Sequence, residues 1–536
     1  MRNRINSAFI LILCLSSMVI CTAVAVACDK PKNHHQEKEQ VVITLNIDDE
    51  AQTIHSFGAS DCWTTKFVGT WSDESKKNQV ADYLFSTDTL DNGSPKGIGL
   101  TLWRFNIGGG SWEQGEDSGI TDEWRREECF LSSDGTYNWN RQAGQQWFLQ
   151  AARQRNVPYT LGFSLTAPVQ MTRNGKAFHG GQTPDLNIEE GRMPSYADFL
   201  AQVAKHFDFD YLSPINEPQW RWGSGDKSSQ EGTQALNSDV AELTRLLSPR
   251  LKGTDIEIVV GEAGQWDYLF SKNEDGHGNQ ITEFFSSSSS NYLGDVPHVA
   301  PIISGHSYFS TCPVNTLINT RRLVAEEIKR VSPALEVWQT EFGILGNICD
   351  RYRGAPRRTD IDYGLYVATV IHHDLCIANV SSWHWWLAVS PYDYSDALVY
   401  INSSTGSINP SAVKHDGEIL DSKQLWALGN YARFIRPGMV RIGTEVTGIY
   451  SSQTAAEKLM VSAYKDVDQG KVVVVVINPE GTSKGLSVQD GEGNSLLAQR
   501  RWNAYITDRN RNLEKATVDV DGWVAPPYSI TTLVTF

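Results

Sequence analysis

Two glutamates that follow apolar runs are the strongest candidates for chemistry in this chain. Glu217 lies in "YLSPINEPQW", where Pro218 ends a predicted strand because proline has no backbone N–H to donate. Glu341 lies in "EVWQTEFG", again where an apolar run stops. Two facing carboxyl groups can divide one reaction, since one donates a proton while the other attacks or stabilises positive charge. The two are far apart in sequence, so a fold must bring them together.

Eight short apolar runs alternate with longer amphipathic segments, and this alternation predicts the fold. The predicted strands are "TIHSFGASD", "LTLWRFNIGG", "PYTLGFSLTAP", "YLSPINEP", "IEIVVGEAG", "PIISGHSYF", "EVWQTEFG" and "SSWHWWLAV". The predicted helices include "WNRQAGQQWFLQAARQRN", "YADFLAQVAKHF", "NSDVAELTRLL", "TRRLVAEEIKRV" and "DYGLYVATVIHHDLCIAN". Eight such units predict an α/β fold, a (β/α)8 TIM barrel over residues 51–435. The alternative is an open doubly wound sheet, but no phosphate-binding glycine motif follows any strand.

Function in such barrels collects at the carboxyl ends of the strands. The polar or aromatic residues at the predicted strand ends are Asp61, Arg104, Asn106, Thr166, Asn216, Glu217, Glu262, His306, Tyr308, Glu341, His384 and Trp385. A chemistry that needs two carboxylates across a neutral polymer is glycoside hydrolysis. Glu262, in "GEAGQW", is expected to form a supporting ion pair.

The residues after 435 follow a different sequence pattern. After residue 435, short β-rich runs with turns between them, such as "KVVVVVINPEG" and "YSITTLVTF", show no helical pattern and predict a β-sandwich over 436–536. The strand-like residues 41–50 are expected to join it. We interpret this module as a structural support for the barrel rather than as a separate glycan-binding domain.

The first residues concern targeting. Residues 1–27 have a charged start, an apolar stretch and small residues before a cut, which is typical of a secretory signal peptide. The "AVAC" that ends at Cys28 resembles a bacterial lipoprotein box, although Ala25 replaces the usual leucine. This imperfect motif is compatible with a lipid-anchored protein at the cell surface or in the periplasm. It is also compatible with a soluble exported protein. Residues 28–40 are predicted to be a polar tether.

Net charge and residue composition indicate which classes of partner and cofactor to expect. A net charge of -16 excludes nucleic acid as an expected partner, since phosphates would be repelled, and favours a neutral one. Seventeen tryptophans suit stacking on sugar rings as well as core packing. The cysteines beyond residue 28 are odd in number and lack paired C-x-x-C spacing, which indicates neither a disulfide framework nor a zinc site. No metal or organic cofactor is expected.

Seven ordered segments resemble glycoside hydrolase family 30. They are "FGASDCW", "WRFNIGGG", "LTAPVQMTRNGKAF", "SPINEPQW", "GHSYF", "WQTEFG" and "WHWWLAVSPYDY". The resemblance implies that Glu217 is the general acid/base, Glu341 the nucleophile and Asn216 the residue that hydrogen-bonds the sugar 2-hydroxyl. The other predicted substrate-binding residues are Asp61, Trp63, Arg104, His306, Tyr308 and Trp385. We expect Arg104 and Tyr308 to keep Glu341 ionised.

Within that family, the sequence is most similar to bacterial endo-β-1,6-galactanase-like proteins. This implies a neutral, β-linked, galactose-containing polysaccharide as substrate, with β-1,6-galactan first and endo action. A β-1,6-glucan, a xylan, a β-glucoside or a β-fucoside remains the alternative. A non-catalytic, exported glycan-binding lipoprotein is the hypothesis from another class. It is disfavoured because an inactive binder would normally have lost one of the two glutamates.

Overall fold

A computed structural model describes residues 40–181, 184–271, 275–346 and 351–536 of the chain. The predicted signal peptide, Cys28 and the tether up to residue 39 lie outside the described residues. The strands are β1 (Gln40–Thr53), β2 (Ser56–Ser60), β3 (Leu102–Ile107), β4 (Tyr159–Ser164), β5 (Tyr211–Ser213), β6 (Glu257–Ala263), β7 (Val299–His306), β8 (Glu336–Phe342), β9 (Val380–Ser390), β10 (Ala397–Asn402), β11 (Glu418–Leu420), β12 (Val440–Val446), β13 (Met460–Lys465), β14 (Val472–Asn478), β15 (Lys484–Asp490), β16 (Trp502–Thr507), β17 (Glu514–Thr517), β18 (Trp523–Ala525) and β19 (Ser529–Thr535).

The α-helices are α1 (Thr65–Val68), α2 (Glu74–Phe85), α3 (Ser111–Gln114), α4 (Ala143–Gln154), α5 (Met193–Phe207), α6 (Asn237–Leu247), α7 (Asp267–Phe270), α8 (Gln280–Phe285), α9 (Val314–Val331), α10 (Ile361–Cys376), α11 (Lys423–Ala432), α12 (Ser452–Lys458) and α13 (Leu496–Gln499). In the described ranges, none of them combines the length and the apolarity that crossing a bilayer requires.

Strands β2 to β9 form a closed parallel barrel. They pair in chain order, and β9 pairs with both β8 and β2, which closes the ring. The eight predicted strands fall on these eight strands, so the (β/α)8 prediction is confirmed. The strands read as nearly continuous apolar runs because helices cover the outside of the barrel and side chains fill its inside. Beyond β9, the sheet continues with β10, which is parallel to it, and then with antiparallel β11.

The helices between the strands cover the outside of the barrel. The five segments predicted as helices fall on α4, α5, α6, α9 and α10. Helix α2 was not predicted, because "ESKKNQVADYLF" is largely polar and gives a weak apolar stripe. Its start is instead fixed by Asp73, whose side chain accepts hydrogen bonds from the backbone N–H groups of Ser75 and Lys76.

The second module is a nine-stranded sheet. Its strand order is β17-β16-β19-β14-β13-β12-β1-β15-β18, and β1 pairs antiparallel with β12 and parallel with β15. The N-terminal strand therefore lies inside the C-terminal sheet. The short helices α12 and α13 interrupt this module, where the sequence had indicated no helix.

Strand β14 shows how this sheet attaches to the barrel. Its residues alternate between two cores: Val472, Val474 and Val476 pack in the sheet's own core, whereas Val473, Val475 and Ile477 pack in the core shared with the barrel. Both faces of the strand are buried, which explains the unbroken "VVVVVI" run. The sheet thus packs directly on the barrel.

Cysteine usage differs from the expectation. Cys312 is disulfide-bonded, while Cys62, Cys129 and Cys376 are free thiols. The partner of Cys312 lies outside the described residues. Counting cysteines missed this bond because an odd total with irregular spacing says nothing about which pair lies close in space.

Candidate active site

Five ionisable side chains meet at the carboxyl ends of the barrel strands. Arg104 comes from β3, Glu262 from β6, His306 from the end of β7 and Glu341 from β8, while Glu217 follows β5. All five are buried. Buried charges of this kind persist only when they are paired and hydrogen-bonded to one another. The sequence prediction that the strand ends would gather these residues is therefore matched by their positions.

Arg104 lies at the centre of this cluster. Its Nη1 donates to Oε2 of Glu341 at 2.7 Å, and its Nη2 donates to Oδ1 of Asn216 at 2.6 Å and to Oε2 of Glu262 at 2.7 Å. The guanidinium also stacks on the ring of Phe163, with its central carbon 3.6 Å from the ring centroid. Glu262 thus forms the supporting ion pair that was expected of it.

Glu341 is held by two donors. Besides Arg104, the hydroxyl of Tyr308 donates to its Oε1 at 3.0 Å. The two donors fix the orientation of the carboxylate. The backbone here is irregular, since the pairing register of β7 with β8 shifts between Gly305 and His306. Such bulges re-aim side chains beside active sites, and here the shift pairs His306 with Glu341.

Glu217 is held in an unusual backbone conformation. Its φ is 46°, in the left-handed region that non-glycine residues rarely adopt, and its N–H donates to the carbonyl of Glu262 at 3.0 Å. Burial raises the pKa of the Glu217 carboxyl, as does the nearby charge of Glu341, while His306 acts in the opposite direction. The net rise favours a protonated acid at higher pH than an exposed glutamate would allow.

His306 connects two of the acids. Its Nδ1 lies 2.8 Å from Oε1 of Glu217 and its Nε2 lies 3.0 Å from Oε2 of Glu262. Burial lowers the pKa of His306, but the charge of Glu341 and the hydrogen bonds to Glu217 and Glu262 outweigh burial and raise it to about 10. Burial alone would raise the pKa of Glu262, yet Arg104 and His306 lower it to about 2. This rise favours the protonated form of His306, in which both ring nitrogens are donors.

The charges in this cluster balance when Glu217 is protonated. Arg104 and His306 then contribute two positive charges, and Glu262 and Glu341 contribute two negative ones. Within the described residues, Glu217, His306 and Glu341 also offer ligand atoms within 4.8 Å of one another, which is a spacing that a cation could use. Both ring nitrogens of His306 already lie within hydrogen-bond distance of carboxylate oxygens, however. The donor chemistry fits a site that holds a proton better than one that holds a metal.

A cavity of about 310 Å³ opens beside the two glutamates. Its lining consists of Asn216, Glu217, Trp220, Trp222, Gln230, Tyr308, Phe309, Glu341, Leu345 and Trp386. Half of these side chains are aromatic. Among the polar ones, Asn216, Glu217 and Glu341 lie close together, which is the usual composition of a small-ligand site.

Trp386 is the tryptophan of β9 that lines the cavity. Trp385, which was predicted to bind substrate, does not line it. Trp385 is fully buried against Phe342 and Trp383, and its Nε1 donates to the carbonyl of Asp396 at 2.8 Å. Alternation along a strand puts Trp386 on the same face as His384. That polar, inward-facing histidine was the signal in the sequence that could have corrected the prediction.

Asp61 and Trp63 lie behind the cavity rather than in its lining. Asp61 is fully buried, and its Oδ1 accepts the backbone N–H of Asn106 at 2.9 Å. Trp63 packs edge-to-face on Trp386, with 5.3 Å between ring centroids. Trp63 thus supports a residue that lines the cavity, whereas Asp61 fixes the end of β3. Sequence reasoning missed Phe309, Gln230, Leu345 and Trp386 as lining residues, since none of them is a catalytic residue type at a strand tip.

The fold and the site define the class: a (β/α)8 barrel protein with paired carboxylates at the carboxyl ends of its strands. The model of O-glycosyl hydrolase family 30 matches residues 40–400. This chain belongs to that family.

Three relatives put the match in context. The chain is 29% identical to glucuronoxylanase XynC of Bacillus subtilis over 209 residues. These residues are 37% of this chain and 39% of that protein. The chain thus matches about two fifths of the length of that curated relative. A conserved exported protein from Bacteroides fragilis is 31% identical with a TM-score of 0.84, over 92% of this chain and all of that one. The catalytic domain of xylanase C from Talaromyces cellulolyticus, at 24% identity, TM-score 0.65 and the same coverage of both chains (92% and 100%), shares the fold.

Proposed function

We propose that this protein is a retaining β-glycoside hydrolase in which Glu341 is the nucleophile and Glu217 the general acid/base. The observation that carries the proposal is the separation of the two acids. A carboxylate oxygen of Glu217 and one of Glu341 lie within 4.8 Å of each other. Retaining glycosidases place the two carboxyl groups about 5–5.5 Å apart, whereas inverting ones leave about 6.5–9.5 Å for a water.

The first step forms a covalent intermediate. An oxygen of Glu341 attacks the anomeric carbon while the bond from that carbon to the glycosidic oxygen breaks, and Glu217 gives its proton to the departing oxygen. Oε1 of Glu217 accepts from His306, and its Oε2 makes no hydrogen bond to any described residue. The proton is therefore carried on Oε2, the oxygen left free for the substrate.

The second step releases the sugar. Glu217, now a carboxylate, takes a proton from water, and the resulting hydroxide adds to the anomeric carbon as the bond to Glu341 breaks. Arg104 and Tyr308 hold Glu341 in place through both steps. Asn216, fixed by its bond to Arg104, is the group that meets the sugar 2-hydroxyl beside the nucleophile.

The proposed substrate is a neutral, β-linked, galactose-containing polysaccharide, cleaved internally, with β-1,6-galactan as the first choice. The galactan rests on the resemblance of the seven sequence segments. Neutrality is supported by the cavity, because no lysine or arginine is among the described residues that line it. An acidic sugar would need such a partner. Glucuronoxylanase similarity over part of the chain makes xylan the main competitor.

Export is part of the same proposal. We propose that residues 1–27 direct secretion and that residues 28–39 tether the enzyme, with Cys28 as the lipid-anchored residue. A polymer too large to import is met outside the cell. The disulfide at Cys312 agrees with an oxidising compartment.

The test is a panel of β-linked glycans with analysis of the released products. β-1,6-Galactan, β-1,6-glucan, glucuronoxylan and aryl β-glycosides are incubated with the protein and with Glu341→Ala. The proposal expects oligosaccharides from the galactan with the wild type and none with the variant. Cleavage of another glycan with the galactan intact would replace the substrate and leave the two glutamates in their roles. Binding without any cleavage would favour the non-catalytic glycan-binding protein.

A further inference from the structure

Phe309 is an exposed aromatic residue beside the catalytic pair. It follows Tyr308 directly after β7, lines the cavity, and leaves 51% of its surface exposed. Its φ is 58°, a strained value for a bulky residue. A strained, half-exposed phenyl ring in a cavity gains little from folding alone, and such strain clusters where a ligand binds.

Trp220 also lines the cavity, and together with Phe309 it forms an aromatic corner there. Its ring lies edge-on to Phe309 with centroids 6.1 Å apart, and edge-on to Tyr268 at 5.8 Å. The indole also packs so closely on Gly264 that a β-carbon there would collide with it. Trp220 is thus held in place from one side by Gly264 and Tyr268, and it faces Phe309 on the other.

The position of this corner relative to the two glutamates indicates which sugar it meets. The backbone N–H of Trp220 donates to the carbonyl of Glu217 at 3.1 Å, so the corner is built onto the proton donor. Trp386 lies at the nucleophile side, with its ring 5.9 Å from the guanidinium of Arg104. The oxygen that Glu217 protonates belongs to the leaving sugar, which must therefore lie beside Glu217.

We propose that Phe309 and Trp220 form the subsite for the leaving sugar and select a neutral ring with an apolar face. This inference rests on the proposed glycosidase function. The two aromatic rings offer apolar surfaces for the C–H groups of a sugar and carry no charge. They therefore favour a neutral hexose or pentose over a uronic acid. When an acceptor sugar replaces water in the second step, its hydroxyl gives a proton to Glu217 and bonds to the anomeric carbon as the bond to Glu341 breaks. The same corner would bind that acceptor, so it also governs transfer to sugars.

The test separates the leaving sugar from the attacked one. Phe309→Ala, Phe309→Tyr and the wild type are compared on β-1,6-galactotriose and on β-galactobiosyl fluoride, whose leaving group is too small to reach the corner. Phe309→Ala should lower kcat/KM on the trisaccharide about tenfold or more and leave the fluoride within about twofold. Phe309→Tyr, which keeps the ring, should restore the trisaccharide activity. The share of transfer product formed with added galactose oligosaccharide should fall in Phe309→Ala only.

Tyr450→Ala is the matched control. Tyr450 is an aromatic residue with 90% of its surface exposed, far along the chain in the nine-stranded sheet module, and its loss should change neither substrate. Equal loss on trisaccharide and fluoride in Phe309→Ala, or no loss on either, would overturn the subsite while leaving the hydrolase intact. A wild type that cleaves neither these substrates nor the glucosyl and xylosyl counterparts would overturn the proposed function, and this inference with it.

Discussion

The imidazole Nδ1 of His306 lies 2.8 Å from Oε1 of Glu217, so a histidine with a raised pKa contacts the acid that must itself hold a proton. The arrangement is consistent because the other imidazole nitrogen donates to Glu262, whose pKa is lowered to about 2. Glu262 thereby balances the charge of His306, and Glu341 balances that of Arg104. Beside these pairs, the raised pKa of Glu217 favours its neutral form.

Removing the acid should affect substrates according to their leaving groups. Glu217→Ala should lower turnover of the natural glycan by about 10²–10⁴-fold, because its leaving oxygen needs a proton. Aryl β-glycosides with good leaving groups should still form the intermediate, and added azide should speed its breakdown. The measurement is steady-state rate on both substrate types with and without azide. Equal loss on both, with no azide rescue, would remove Glu217 from this role.

The pH profile should show an alkaline limb that belongs to Glu217. Burial raises the pKa of this acid above its ordinary value of 4.5, so the protonated form persists to higher pH and activity falls as pH rises through the raised pKa. The limb should appear in kcat/KM for the glycan. It should be absent for a glycosyl fluoride, whose departure needs no proton. A fluoride profile with the same limb would assign it to another group.

Two adjacent tryptophans provide a matched pair. Trp385→Phe should lower the free energy of unfolding by about 1 kcal/mol, since it removes the buried hydrogen bond to Asp396, and leave kcat/KM unchanged. Trp386→Phe should lower kcat/KM on oligosaccharides, because it shrinks a wall of the cavity. Denaturant melts and kinetics on both variants decide this. The reverse pattern would return the substrate-binding role to Trp385.

This pair also shows how far sequence reasoning reaches. The eight strands and the polar residues at their ends were predictable, because each buried strand is an apolar run that stops at a polar residue. The choice between Trp385 and Trp386 was harder, since every residue of β9 is buried and its run is not a simple apolar–polar alternation. The pairing of β2 with β9 also slips here, as Ala59 faces Trp385 but Ser60 faces Leu387. A register shift of this kind depends on the neighbouring strand, so the alternation that puts Trp386 on the same face as His384 was the one local signal in the sequence.

Other parts of the site could not be predicted for a related reason. The roles of His306 and Glu262 depend on which carboxylates surround them, and their pKa values follow from burial that only the closed barrel creates. Phe309 carries no sign of function in the sequence, because an aromatic residue after a strand is usually core.

Glu231 should make stability depend on pH. It is buried and accepts hydrogen bonds from the backbone N–H groups of Gly109 and Ser111, which ties the loop after β3 to the loop after β5. Burial raises its pKa to about 7 from 4.5. The folded state therefore binds this proton more tightly than the unfolded state, so stability is full below pH 4.5 and is lost as pH rises through 7.

Glu231→Gln, which stays neutral, should reduce this loss. Between pH 5 and pH 8 the wild type should lose about 1–3 kcal/mol more unfolding free energy than the variant. Denaturant unfolding at both pH values gives the two differences. A variant that loses as much as the wild type would show that Glu231 is not the titrating group.

The most direct test of the account is the configuration of the first-formed product. Proton NMR follows hydrolysis of the preferred β-glycan from the first minutes, before the reducing sugar mutarotates. If Glu341 forms a covalent glycosyl-enzyme, the β-anomer appears first and the α-anomer grows in later. An α-anomer that forms first would mean inversion at the anomeric carbon, and it would contradict the assignment of Glu341 as nucleophile and of Glu217 as its acid/base partner.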